Sequence, residues 1–178
     1  MNGTDPEILK EEGMQLFEQG AYDAALAKFE TAVTAYVTAN NNIGQAEMLN
    51  NIGVIHRLRR QYEEAIHALN EAQQIFRQLG DLNRQAQVLG NLGDLYAATR
   101  RPEEAAHYYQ QAAELFAQTN DPLRQSQVLR ACSLLRLRQA RWLEAIALME
   151  QSLAVHPQKS ILQRIFHLLL RFVMHVPS

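Results

Sequence analysis

The sequence predicts an all-α solenoid of four antiparallel helix pairs followed by one further amphipathic helix. Three observations carry that expectation. The first is a forty-residue rhythm: Leu49, Asn51, Gly53, Glu63, Glu64, Ala65, His67, Ala72 and Phe76 return as Leu89, Asn91, Gly93, Glu103, Glu104, Ala105, His107, Ala112 and Phe116. One period earlier stand Leu9, Gly13, Tyr22, Ala25, Phe29 and Ala32, and one period later Leu129, Ser133, Trp142, Ala145 and Met149. A fixed period decides architecture, because each repeat is one supersecondary unit that buries its apolar face only against its neighbours. The second observation is the alternation of small and large residues at helical spacing. Small residues let two antiparallel helices approach closely, and large ones fill the space beside them. The third is punctuation: Asn40-Asn41, Gly80-Asp81 and Asn120-Asp121 lie one period apart. In each pair the first residue tolerates the left-handed conformation that ends a helix, and the second caps the next helix with its side chain.

The elements follow in order. Asp5-Pro6-Glu7 reads as an N-cap, a proline where no amide donor is needed and an acid in the first turn. Leu9, Gly13, Leu16 and Phe17 give the first helix its apolar stripe, Gly20 terminates it, and Tyr22 begins the partner helix through Ala25, Leu26, Phe29, Ala32, Val33 and Tyr36. Turns inside the later units fall near Arg59-Arg60, Thr99-Arg100-Arg101 and Gln139-Ala140-Arg141. Pro157 stops the eighth helix, because proline disfavours helix at the residue before it.

The pattern of Leu49, Asn51, Gly53, Tyr62, Ala65 and Ala72 with its three registers resembles the tetratricopeptide repeat family, in its long-helix variant. The resemblance covers residues 5–157. It implies a right-handed superhelical solenoid with units at about residues 5–40, 41–80, 81–120 and 121–158 within a repeat domain 1–158. Residues 159–178 are then a capping or interaction helix. The fourth unit departs most, with Ser133 where glycine stands elsewhere and Arg136 where an aromatic is usual.

Composition and charge set the function classes. With 47% hydrophobic and 20% charged residues the chain is an ordinary folded protein. The single cysteine, Cys132, excludes an internal disulfide and a cysteine-based zinc site, and its apolar neighbours make it a core thiol. The acidic N-terminus shows no secretory signal, so the cytoplasm is expected. The net charge of −2 hides an asymmetry: residues 1–40 carry two lysines against seven carboxylates, and residues 121–178 eight basic residues against three acidic. Solvated helix faces account for this. A molecule polarised end to end, able to stack on itself or orient an acidic partner, is the alternative.

No motif for catalysis is present: no glycine-rich strand-to-helix loop, GxSxG, HExxH or CxxC, so an enzyme is not expected. No cofactor or metal is expected either. His67 and His107 occupy one register position on the outer part of the second helix, with no third ligand recurring beside them. The arginines are too scattered for nucleic-acid binding.

The resemblance instead implies a protein-interaction scaffold or adaptor. The first helix of each unit lines a concave groove, which in this family generally holds a peptide. An asparagine just before the Leu/Ile-Gly pair, here Asn51 and Asn91, then hydrogen-bonds the ligand backbone. An amide offers both donor and acceptor, so it serves a peptide group whatever the peptide's sequence. Around these two, the expected peptide-binding wall holds Asn50, Val54, Arg57 and Leu58 in the second unit and Gln87 and Asp94 in the third. The fourth unit contributes Gln127, Arg130, Leu134 and Arg138. Arg57, Arg130 and Arg138 favour a protein or peptide partner with acidic character, and Val54, Leu58 and Leu134 offer apolar anchors.

Beyond Pro157, Ser160 caps an expected helix over 161–176. Its polar residues Arg164, His167, Arg171 and His175 fall on one narrow stripe, and Ile161, Ile165, Phe166, Leu169, Phe172 and Val173 belong to a wide apolar face. That face covers the end of the solenoid, joins a second copy in a homo-oligomer, or lies on a membrane surface. A self-assembling or membrane-surface structural protein is therefore the alternative function.

Overall fold

The computed structural model describes residues 5–157. They form eight helices: α1 (Pro6–Glu18), α2 (Tyr22–Thr38), α3 (Asn42–Leu58), α4 (Tyr62–Leu79), α5 (Leu82–Ala98), α6 (Pro102–Gln118), α7 (Pro122–Arg138) and α8 (Trp142–Val155). Each helix packs on its chain neighbours, and α3 also touches α5. This is the expected all-α solenoid of helix pairs, with the core strung along the stack. The expectations for residues 159–178, including the helix over 161–176, lie outside the described residues. Among the described residues no helix is long and apolar enough to cross a membrane.

The turns explain the period. Seven residues with left-handed φ stand twenty apart: Gly20, Asn40, Arg60, Gly80, Arg100, Asn120 and Ala140. At every one, the next residue's N–H donates to the carbonyl five residues back, from Ala21 to Leu16 at 2.9 Å through Arg141 to Arg136 at 3.0 Å. This is the bond that closes a helix terminated by a left-handed residue. The first helix of each unit is then capped by a side chain: Asp5 accepts from the Glu7 N–H, Asn41 from Gly44, Asp81 from Arg84 and Asp121 from Arg124, at 2.9–3.0 Å. The second helices begin at Ala21, Gln61, Arg101 and Arg141 without such a cap.

Within the first three pairs a missing side chain sets the helix separation. A Cβ on Gly13, Gly53 or Gly93 would fall 2.5–2.6 Å from Phe29, Leu69 or Tyr109. Ala25, Phe29 and Ala32, and their equivalents Ala65, Leu69, Ala72 and Ala105, Tyr109, Ala112, are all buried. In the fourth pair the Ser133 hydroxyl donates to the Ala145 carbonyl at 2.6 Å.

Candidate functional site

Successive first helices lie side by side and form one wall of the stack. Their side chains meet across units at an offset of 37 residues. Lys10 donates to Glu47 at 2.7 Å and Glu47 accepts from Arg84 at 2.8 Å. Arg57 faces Asp94 at 3.8 Å. Asn51 Nδ2 approaches the Met14 sulfur at 3.7 Å, and at an offset of 41 Asn91 Nδ2 donates to Asn50 Oδ1 at 2.7 Å.

Two cavities open along this wall. The first, about 300 Å³, lies between α1, α3 and α5; Lys10, Met14, Glu47, Asn50, Asn51, Arg84 and Gln87 surround a floor of Met48, Phe76 and Val88. The second, about 390 Å³, lies between α5 and α7; Gln87, Asn91, Asp94, Arg124 and Gln127 surround a floor of Gly90, Tyr109, Phe116, Val128 and Ala131. Of the residues expected on the wall, Asn50, Asn51, Gln87, Asn91, Asp94 and Gln127 line these cavities. Val54, Arg57, Leu58, Arg130, Leu134 and Arg138 line neither cavity, although Leu58 and Leu134 are exposed.

The cations beside the two cavities are paired with carboxylates of the chain itself. Burial by itself would raise the Glu47 carboxyl, but hydrogen bonds from Lys10 and Arg84 outweigh it and hold the group below the usual carboxylate range. Asp81 and Asp121 are also held low against the cost of burial, by the backbone and side chains of Arg84 and Arg124 respectively. Tyr109 is the reverse case. Burial, with the Asp94 carboxylate beside it, raises its hydroxyl above the ordinary value. It stays protonated and donates to Asp94 Oδ1 at 2.6 Å. Arg57, expected to serve a partner, is thus already turned toward Asp94, whereas Arg130 and Arg138 have no ion pair among the described residues.

Gly90, Arg84, Arg124 and Val128 are cavity residues that the sequence reading did not single out. The signal for Arg84 was the opposite charge at the 37-residue offset. For Gly90 it was a mid-helix glycine outside the small-to-large pattern. His67 and His107 are exposed on α4 and α6, away from this wall, and Cys132 is buried, its thiol raised by that burial.

Fold and wall together define an all-α repeat protein whose aligned first helices carry a grooved, amide-rich face. The sequence profile named Tetratricopeptide repeat matches residues 7–78, 44–118 and 84–158, and the chain belongs to that family. Its fold is similar to that of BtubC (BKLC) from P. vanneervenii, with 20% identity and a TM-score of 0.73, over 100% of this chain and 70% of that one. It is also similar to aspartyl phosphate phosphatase F from Bacillus subtilis, with 18% identity and a TM-score of 0.74, over 84% of this chain and 39% of that one. Among curated proteins nothing matches the sequence.

Proposed function

We propose that the chain is a non-enzymatic protein-interaction scaffold that holds an extended peptide segment of a partner protein along the wall made by α1, α3, α5 and α7. The observation that carries this reading is the pair of adjoining cavities rimmed by Asn50, Asn51, Gln87, Asn91 and Gln127. Amides at intervals along a groove suit the repeating donors and acceptors of a peptide backbone. The Asn91–Asn50 bond supports this by holding both side chains at the rim while leaving Asn91 Oδ1 and Asn50 Nδ2 without a partner among the described residues. Acidic side chains of the partner would meet Arg130 and Arg138 of the fourth unit, since the cations nearer the cavities face carboxylates of the chain itself. Val54, Leu58 and Leu134 would take apolar side chains. Peptides selected from a random dodecamer library against the full chain supply the ligand for the test. Asn51→Ala combined with Asn91→Ala is expected to weaken their binding by about 1–3 kcal/mol in calorimetry while helicity is retained. Unchanged affinity overturns the reading.

A further inference from the structure

Gly90 breaks two rules at once. It sits in the middle of α5, where glycine is the least favourable residue after proline. Packing does not demand it: a Cβ there would meet only Val128 Cγ1, at 3.5 Å, which is ordinary contact. The glycines that the fold does require are different, since a Cβ on Gly13, Gly44, Gly53 or Gly93 would come within 2.6 Å of a ring or leucine. In the register of Gly90 the other units carry Lys10, Asn50 and Arg130. What the missing side chain leaves is open space, and that space belongs to the cavity between α5 and α7.

Three acceptors around the space are open, beside the Gln127 amide, which has no partner among the described residues. Asn91 Nδ2 donates to Asn50, and Gln87 Nε2 donates to Asn83 Oδ1 at 2.9 Å. The carbonyl oxygens Asn91 Oδ1 and Gln87 Oε1 have no partner among the described residues. Asp94 Oδ2 has only Arg57, at 3.8 Å, while its Oδ1 takes the Tyr109 hydroxyl. The positive charge of Arg124 at the rim is held by Asp121 at 2.7 Å. Below these oxygens lie Val128, Ala131 and Phe116.

We infer that this notch is a side-chain specificity pocket. It admits from the bound peptide a long, unbranched side chain ending in N–H donors, as lysine and glutamine do. The methylenes run over Gly90 against Val128 and Ala131, and the tip donates to Asp94, Asn91 and Gln87. The inference rests on the peptide-groove reading and names what that groove selects at one position. An apolar stem laid against Val128 and Ala131, with a tip that donates to these oxygens, favours a side chain with the donor over one that lacks it.

Gly90→Leu and Gly90→Ala in the full chain test this beside the Asn51→Ala, Asn91→Ala double variant. Each protein is used to select from the random dodecamer library, and a selected peptide is resynthesised with lysine, glutamine, norleucine or glutamate at the enriched position. Wild type is expected to enrich lysine or glutamine at one aligned position and to bind norleucine and glutamate there at least about tenfold more weakly. Gly90→Leu should abolish that enrichment but keep binding elsewhere along the peptide. Gly90→Ala should narrow the discrimination while raising the unfolding midpoint by about 3 °C, so lost selectivity is not lost folding. Bound peptides with no donor-bearing position, or a preference that survives Gly90→Leu, overturn the pocket and leave the groove standing. If no peptide is enriched, or binding ignores both asparagines, the groove reading itself falls and takes the pocket with it.

Discussion

The third and fourth helix pairs solve the same packing problem with opposite chemistry. In the third, Ala86, Gly93 and Ala112 stand where the helices come closest, and the Tyr109 ring lies over the space a Cβ on Gly93 would need. In the fourth the same registers hold Ser126, Ser133 and Ser152, and all three are buried. Ser133 donates to the Ala145 carbonyl at 2.6 Å, Ser152 to the Ser126 carbonyl at 2.7 Å and Ser126 to the Leu123 carbonyl at 2.8 Å. Arg136, with a side chain only 9% exposed, replaces Tyr96 and binds Glu103 at 2.9 Å, Gln139 at 2.8 Å and Glu144 at 3.4 Å. Every buried polar or charged side chain among the described residues is in this last pair. The repeat constrains the size of a side chain more strictly than its polarity. A hydroxyl is accepted where an alanine or glycine fits, provided a backbone carbonyl on the facing or preceding turn takes its proton.

That contrast breaks most readily at the glycine. Gly93→Ala puts a methyl against Tyr109, which its bond to Asp94 keeps from swinging aside, and is expected to cost about 1–3 kcal/mol in urea unfolding. Ser133→Ala only deletes the hydroxyl and should cost about 1 kcal/mol; a larger loss at Ser133 than at Gly93 would reverse the order of the two mechanisms. A smaller effect of opposite sign is expected at Ala140, which holds a φ of 58° in the turn where the first unit has Gly20 and the third Arg100. Ala140→Gly should stabilise by somewhat under 1 kcal/mol, because left-handed backbone is strained for alanine and not for glycine. An unchanged or lower unfolding midpoint would show that the fourth pair does not feel that strain.

The weakest effect concerns the Lys10–Glu47–Arg84 chain that joins the first three units. The folded Glu47 carboxyl lies below its ordinary value because Lys10 and Arg84 bind the charged form in spite of burial. Its contribution is therefore complete above the unfolded value of about 4.3 and disappears as pH falls through the lower folded one. Wild type should lose more stability between about pH 5 and pH 3 than Glu47→Gln does. Equal losses would mean that the Lys10–Glu47–Arg84 chain contributes nothing.

Much of this molecule was readable from residues that act locally. Asn40, Gly80 and Asn120 ending helices, and Asn41, Asp81 and Asp121 capping the next, depend on one turn of backbone, and each is where the sequence placed it. The forty-residue period fixed which helices pair, because Gly53 and Gly93 leave room for one large partner each, Leu69 and Tyr109. The resemblance to tetratricopeptide repeats placed the expected wall on the first helices, and of its residues Asn50, Asn51, Gln87, Asn91, Asp94 and Gln127 line the cavities while Val54, Arg57, Leu58, Arg130, Leu134 and Arg138 do not. The wall's use of charge was not legible in the sequence. Arg57 reads as a free cation until the 37-residue offset between neighbouring first helices turns it toward Asp94.

The sequence by itself therefore determined the helix count of residues 5–157, the turns and the pairing, because those follow from dihedral preference and side-chain volume at fixed spacing. Only the tertiary structure decided which polar atoms on the wall remain open. That depends on how far one helix is shifted along the next, a quantity set by the packing of both faces together. The same shift leaves Gly90 beside a space and Gly93 under a ring, although the two glycines lie less than one helical turn apart.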